Sequence, residues 1–202
     1  MTELHLIRHG ETHWNRIGRY QGQIDVPLSD GGRGQAAALA EILRVVPLQV
    51  IYTSDLRRAR ETAEAVAAAT GAPLRQDPRL REIRLGRWEG LTLDEIRAQD
   101  GEALDDFRRN PATARAPEGE SVPEVLERVR AALEDILQAY PEGPVAIVSH
   151  GLALAALELS LLGQSLDTVW LREPANAAVE VFQAYPGNQV DVKGGPKVWD
   201  GG

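Results

Sequence analysis

Apolar positions along the chain fall into two kinds of pattern. Short unbroken runs alternate with longer stretches in which apolar residues recur every three or four positions. Leu4 to Arg8, Val50 to Thr53 and Val145 to Val148 are runs of the first kind and predict buried strands, with Ala178 to Phe182 a further strand and Val190 to Val192 its edge partner. Leu74 to Gln76 adds a short extended piece after the stop at Gly71-Ala72-Pro73. Helical spacing predicts helices over Arg33 to Val46, with Ser29-Asp30 as the cap, over Leu56 to Thr70, and over Leu152 to Leu162. Ser121 with Glu124 forms a capping box before Val122 to Ala139, the clearest amphipathic helix, whose apolar face carries Val125, Val129, Leu133, Ile136 and Leu137. Leu91 to Asn110 is also helical in pattern, broken near Asp100-Gly101, and Pro111 to Glu120 is a loop rich in Pro, Ala and Glu.

Strands alternating with helices predict an α/β fold: a three-layer α/β/α sandwich with a mostly parallel central sheet. The expectation is one domain over residues 1–202, with residues 91–120 a helical insertion over the sheet and residues 194–202 a loose tail. No repeat or low-complexity tract interrupts it.

Composition narrows the function. The chain has 202 residues, 22 basic and 30 acidic, a formal charge of −8. That balance disfavours nucleic acid and anionic membranes as partners, because both need a basic surface. With no cysteine, neither a disulfide scaffold nor thiolate chemistry is available. The start, Met1 to Arg8, lacks a charged segment followed by a long apolar run, and no stretch approaches membrane-spanning length, so the expectation is a cytoplasmic protein. Lys193 and Lys197 are the only lysines, so nearly all the positive charge is arginine. Codon bias produces this, but arginine is also the side chain that grips phosphate or carboxylate with a fork.

In open parallel sheets ligands bind beyond the carboxyl ends of the strands. Three strands end here in Arg8-His9-Gly10-Glu11-Thr12, in Thr53-Ser54-Asp55-Leu56-Arg57-Arg58, and in Ser149-His150-Gly151. If these strands are neighbours, one edge gathers two histidines and at least two arginines. Such a cluster suits phosphoryl chemistry: arginines neutralise the equatorial oxygens, a neutral imidazole attacks phosphorus, and a carboxylic acid protonates the leaving oxygen. Glu82, Glu11 and Glu89 are all candidates for that acid, and residue type alone does not choose among them.

These residues also resemble a known family. Leu6-Ile7-Arg8-His9-Gly10-Glu11-Thr12 is similar to the signature of the histidine phosphatase superfamily, the phosphoglycerate mutase-like proteins. The resemblance continues through Trp14-Asn15, Asp25 to Ser29, Gly32, Gln35-Ala36, Ser54-Asp55-Leu56, Arg58-Ala59, Thr62-Ala63, Glu82, Gly86, Trp88-Glu89-Gly90 and Ser149-His150-Gly151. It implies that His9 is the nucleophile, that Glu82 is proton donor and then base, and that Arg8, Arg58 and His150 form the phosphate pocket. Asn15, Gln21, Gly22 and Gly151 would complete substrate binding. The family arginine precedes the alanine matched by Ala59, so Arg58 takes that role rather than Arg57.

The family divides into mutases and phosphatases. Cofactor-dependent mutases usually carry Arg-His-Tyr-Gly after the acid, Asn after the second His-Gly, Gly-Trp after the first motif, and a longer chain. Here the corresponding residues are Ile83-Arg84-Leu85-Gly86, Leu152 and Gln21-Gly22-Gln23. The resemblance therefore implies a phosphomonoester hydrolase of small phosphorylated metabolites, needing neither metal nor cofactor, with a cofactor-dependent phosphoglycerate mutase as the alternative. Substrate choice should depend on the insertion, Gln21 and Trp88, with Trp88 equally readable as a packing anchor; self-association is left open. Two other motifs lack their required context. Gly32 to Ala37 fits G-x-G-x-x-A without a preceding strand, and His5, His9 and His13, spaced four apart, start within a strand rather than on a helix.

Overall fold

The computed structural model describes residues 1–184 and the backbone of residues 190 and 191. One six-stranded sheet organises them, in the order β3-β2-β4-β1-β5-β6. Its strands are β1 (Thr2–Arg8), β2 (Val50–Thr53), β3 (Leu74–Gln76), β4 (Gly143–Ser149), β5 (Val179–Ala184) and β6 (Val190–Asp191). β1, β2, β3 and β4 run parallel, while β5 is antiparallel to both β1 and β6. The strands read from sequence are all present, each within two residues at its ends. Val192 and the tail at 194–202 lie outside the described residues.

The three inner parallel strands, β1, β2 and β4, are buried on both sides, which is why they read as continuous apolar runs, whereas the edge strand β3 is mostly exposed. Leu4, Leu6, Val145 and Ile147 face one layer, while Ile7, Ala146 and Val148 face the other. The second layer is α2 (Asp30–Leu43) and α3 (Arg57–Thr70). The first holds α4 (Leu93–Arg109), α5 (Val122–Ala139) and α6 (Gly151–Leu161), after the short α1 (His13–Arg16). The outcome is a three-layer α/β/α sandwich. The expected apolar face of α5 is fully inside, and burying each such aliphatic side chain contributes roughly 1.5–3 kcal/mol.

Local differences from the sequence pattern have physical causes. α2 starts at Asp30, earlier than Arg33, because the Ser29 hydroxyl accepts from the Gly32 N–H at 3.0 Å. It stops at Leu43 instead of Val46, where a turn leads to Pro47. Within α4, Asp100 leaves helical geometry (φ −136°, ψ 38°) at the expected break. That kink lets its carboxylate accept from the Trp88 indole N–H at 2.8 Å and from both forks of Arg87. Trp88 is therefore fully buried core, packed edge-on to Phe107. Among the described residues, no helix is long and apolar enough to cross a membrane.

Candidate active site

Parallel pairing of β1 with β4 sets Arg8 opposite Ser149, so His9 and His150 leave the sheet side by side. Their ring centroids lie 5.1 Å apart. On the other side of β4, Thr53 stands opposite Val148, and the chain passes through Ser54 into α3. Arg58 is the second residue of α3 and turns back under the edge. Three strand ends that looked suggestive in sequence thus meet in one place.

His9 is almost wholly buried. Its Nδ1 lies 2.7 Å from the Gly10 carbonyl, which can only accept, so Nδ1 carries the proton. Nε2 is then a lone pair, and the Arg58 Nε–H points at it from 3.3 Å. Burial, followed by the Arg58 and Arg8 charges, holds the His9 pKa well below the usual imidazole value against the opposing Gly10 hydrogen bond. His150 is lowered for the same leading reason, with Arg58, His9, Arg128 and Arg8 adding to it. Both rings are neutral at pH 7.

Arg58 is buried to 1 % exposure and makes no ion pair among the described residues, though Glu82, Asp25 and Glu89 act on it from further off. It donates to the carbonyls of Ile24 at 2.9 Å and Gly22 at 2.8 Å, and desolvation lowers its pKa to about 10. Arg8 donates through Nη1 to the Pro174 carbonyl at 2.5 Å. Its Nε and both His150 ring nitrogens are buried without a hydrogen-bond partner among the described residues. Buried polar nitrogens of this kind are rare in folded proteins, and that of Arg8 lies in a residue that lines the cleft with Arg58.

Glu82 follows the 3₁₀ turn Pro78–Leu80, which the Ser149 hydroxyl anchors by donating to the Leu80 carbonyl at 2.7 Å. Its carboxylate accepts from the N–H groups of Ile83 (2.9 Å), Leu152 (3.2 Å) and Ala153 (3.1 Å), the last two in the first turn of α6. Of the three acid candidates, it alone lines the cleft. Glu11 is drawn off to Arg16 and Ser29, and Glu89 accepts from the N–H groups of Gln23 and Leu85.

The cleft holds about 390 Å³ and brings together Arg8, His9, Asn15, Gln21, Gly22, Arg58 and Glu82. Asn15 and Gln21 are oriented through Thr12, whose N–H and hydroxyl donate to the Asn15 Oδ1 and whose hydroxyl also reaches Gln21 Oε1. Among the described residues their amide N–H groups have no acceptor. His150 lies behind His9 and does not line the cleft. Gly151 opens α6 beside Arg8, and a side chain there would stand 2.8 Å from the Glu173 carboxylate. Arg57 lies on the surface with Glu61, and Arg115 is held by Glu124 away from the cleft. Trp88 is absent from the cleft wall, so its part is packing.

Sequence reasoning missed several lining residues: Tyr20, Leu104, Phe107, Arg108, Trp170 and Glu173. Leu104, Phe107 and Arg108 come from α4, inside the segment expected to cover the site. Trp170 and Glu173 come from the stretch before β5, where no pattern in the chain singled them out.

A sequence profile of the histidine phosphatase superfamily (branch 1) matches residues 4–193. A probable phosphoglycerate mutase GpmB of Serratia proteamaculans is 41 % identical over 164 residues, 81 % of this chain and 76 % of that protein. Among solved structures, Bacillus stearothermophilus YhfR superposes with a TM-score of 0.90 at 39 % identity over 95 % of each chain. A mycobacterial glucosyl-3-phosphoglycerate phosphatase in complex with VO3 gives 0.86 at 35 % identity over 98 % of each chain.

Proposed function

The chain belongs to the histidine phosphatase superfamily, branch 1, and from that premise we propose that it hydrolyses small phosphomonoesters through a phosphohistidine on His9. The observation that carries this reading is the state of His9: neutral, with its proton fixed on Nδ1 by Gly10 and its Nε2 lone pair facing the cleft floor between two guanidiniums.

In the first step Nε2 attacks phosphorus, and Arg8 and Arg58, which line the cleft, take up the charge on the equatorial oxygens, with the His150 ring packed beside His9 to complete the pocket. Glu82 delivers a proton to the leaving ester oxygen, so the alcohol departs neutral. In the second step the same carboxylate takes a proton from water, which attacks the phosphohistidine and frees inorganic phosphate and His9. Asn15 and Gln21 offer further N–H donors to the phosphoryl group. No step calls on a metal or an organic cofactor.

The name carried by GpmB supports a second reading, a phosphoglycerate mutase, in which a second hydroxyl replaces water. Against it, the position after the second His-Gly is Leu152, an apolar side chain that lines the cleft and offers no hydrogen bond to a sugar-acid hydroxyl. The similarity to a mycobacterial glucosyl-3-phosphoglycerate phosphatase also favours water as acceptor.

The test is phosphate release from a panel of phosphorylated metabolites, with and without chelator, including 3-phosphoglycerate with 2,3-bisphosphoglycerate. Release that survives chelation, with an acid-labile and alkali-stable label on His9, is the expected result. Isomerisation outpacing hydrolysis would overturn it, as would a persistent label in His9→Ala.

A further inference from the structure

Gly10 follows the nucleophile and has to be glycine, because a Cβ there would stand 2.6 Å from the Gly32 carbonyl oxygen. The same residue supplies the carbonyl that fixes the proton on His9 Nδ1. Glycine is the softest backbone position a chain can have, so the acceptor that sets the tautomer sits where the chain holds its own shape least. The peptide joining His9 to Gly10 is planar, and its carbonyl and N–H point to opposite sides. A different element grips each of them. On one side the His9 carbonyl accepts from the Asn176 side-chain amide and from the Ala177 N–H, at 3.1 Å each, which occupies both of its lone pairs. On the other the Gly10 N–H donates to the Thr62 hydroxyl at 3.1 Å, and that hydroxyl donates to the Arg58 carbonyl at 2.8 Å within α3.

Asn176 and Ala177 belong to the connection between the 3₁₀ turn Leu166–Leu171 and β5, and that connection is tied down at its start. Arg172 donates to Glu158 at 3.0 Å and to Glu180 at 2.5 Å, and these two residues are 1 % and 8 % exposed. Ala177 takes a φ of +58°, where residues with a side chain are uncommon. Such a conformation persists only where its surroundings impose it. Here its N–H meets the Arg8 and His9 carbonyls together, 3.1 Å from each.

Resting on the reading of His9 as the nucleophile, we propose that Asn176 and Thr62 are positioning residues that clamp the His9–Gly10 peptide from its two sides. Neither lines the cleft, so both act through His9. The clamp keeps the Gly10 carbonyl on Nδ1 and leaves the Nε2 lone pair toward the cleft. With either grip gone the peptide plane turns, the carbonyl leaves Nδ1, and the ring samples the tautomer whose Nε2 carries the proton and does not attack.

The experiment compares Asn176→Ala, Thr62→Val and Thr62→Ser with wild type on p-nitrophenyl phosphate and on an alkyl phosphate. Asn176→Ala and Thr62→Val should each lower kcat/KM about tenfold, by the same factor on both esters, because attack is impaired and leaving-group protonation is not. Thr62→Ser keeps the hydroxyl and should recover most of that loss. Inorganic phosphate, gripped by Arg8 and Arg58, should inhibit every form equally. Nitrogen NMR of histidine-labelled protein should show His9 as one tautomer in wild type and as two in exchange in Asn176→Ala. A fall in activity matched by an equal loss of phosphate inhibition would make both residues merely structural and overturn the proposal. Unchanged kcat/KM in Asn176→Ala, or a single unchanged tautomer there, would overturn it as well. Asn176 is only half-buried, so its variant decides the matter even where Thr62→Val fails to fold. The tautomer is read without turnover, so a wild type that releases phosphate from neither ester would overturn the phosphatase reading while the clamp is still tested.

Discussion

Arg128 is the perturbation that best separates the scaffold from the chemistry. It projects from α5 and closes the loop that carries Glu82. Its Nη1 donates to the carbonyls of Arg79 (2.9 Å) and Arg81 (2.6 Å), its Nη2 to the carbonyl of Glu82 (2.9 Å), and Nε with Nη2 grip Glu120 at 3.0 Å each. Side-chain exposure is 19 % for Arg128 and 17 % for Glu120. Arg128→Met keeps the aliphatic stem but takes the donor from the carbonyls of Arg79 and Arg81, leaves the Glu82 carbonyl with Gln23 alone, and leaves the Glu120 carboxylate with only the Arg84 N–H. Breaking a fully buried pair costs 3–5 kcal/mol, so allowing for partial access a loss of about 3 kcal/mol is expected. For a chain of this size that is a fall of about 6–12 °C in Tm.

Activity should respond in a way that stability alone does not. The Glu82 carbonyl keeps one other tie, to the Gln23 amide at 3.0 Å, and its carboxylate keeps its three N–H donors. The acid is therefore loosened rather than lost, and kcat should drop about tenfold with KM little changed. Because Glu82 protonates the leaving oxygen, the loss should be larger for an alkyl phosphate than for p-nitrophenyl phosphate, whose leaving group departs without a proton. Thermal unfolding and steady-state phosphate release read both effects below the new Tm. A Tm change under about 2 °C would refute the stability estimate. Equal losses on alkyl and aryl esters would show that Arg128 does not act through Glu82.

Two further outcomes follow from the same geometry. Gly22 holds φ at +49°, and a Cβ there would lie 2.2 Å from the Glu89 carboxylate, while its carbonyl receives Arg58; Gly22→Ala should lower Tm and reduce kcat/KM about tenfold, and activity unchanged in a purified variant would break the link between this turn and Arg58. Stability should also depend on pH with a definite sign. His9 and His150 have folded pKa values below the 6.5 of the unfolded chain, so their contribution is complete above pH 6.5 and is lost as pH falls toward the folded values. Glu158, raised to about 8 from 4.5 by burial and by Glu180, contributes fully below pH 4.5 and loses its contribution as pH rises through 8. Denaturant unfolding between pH 5 and 9 should therefore give a maximum, and Glu158→Gln should flatten only the alkaline side; a flattened acid side would contradict the assignment.

The parts of this molecule that were readable in sequence are those in which local chemistry and global position coincide. Leu4 to Ile7 and Val145 to Val148 are apolar on both faces because the parallel sheet is covered on both faces. Each strand then ends in a His-Gly, and parallel register does the rest, carrying His9 and His150 to the same edge. The capping box at Ser121 is similarly local, with cap and partner three residues apart. Arg128, Arg108 and Glu173 lack that advantage. A helical arginine facing a carbonyl cage looks the same in sequence as one facing water, and what Arg128 holds lies almost fifty positions away. Glu173 sits in a connection whose course is set by the antiparallel return of β5, a pairing that no turn motif announces.

Arginine abundance was a weak signal for a related reason, and pairing replaces it with a stronger one. Most of these arginines stand on the surface against an acid of their own: Arg16 with Glu11, Arg33 with Asp30, Arg57 with Glu61, Arg81 with Asp55, Arg87 with Asp100. Such pairs cancel at short range and leave an acidic surface with a net charge of −8. Among the described residues Arg58 forms no ion pair, Arg8 has only Glu173 at 3.8 Å, and Arg108 forms none. All three line one cleft, and for the buried Arg58 and Arg8 low dielectric strengthens the field and salt screens it least. A phosphate ester approaching this acidic protein therefore meets a cleft whose four arginines outnumber its two glutamates. The same charge, acting on buried rings, is part of what keeps His9 unprotonated and able to attack.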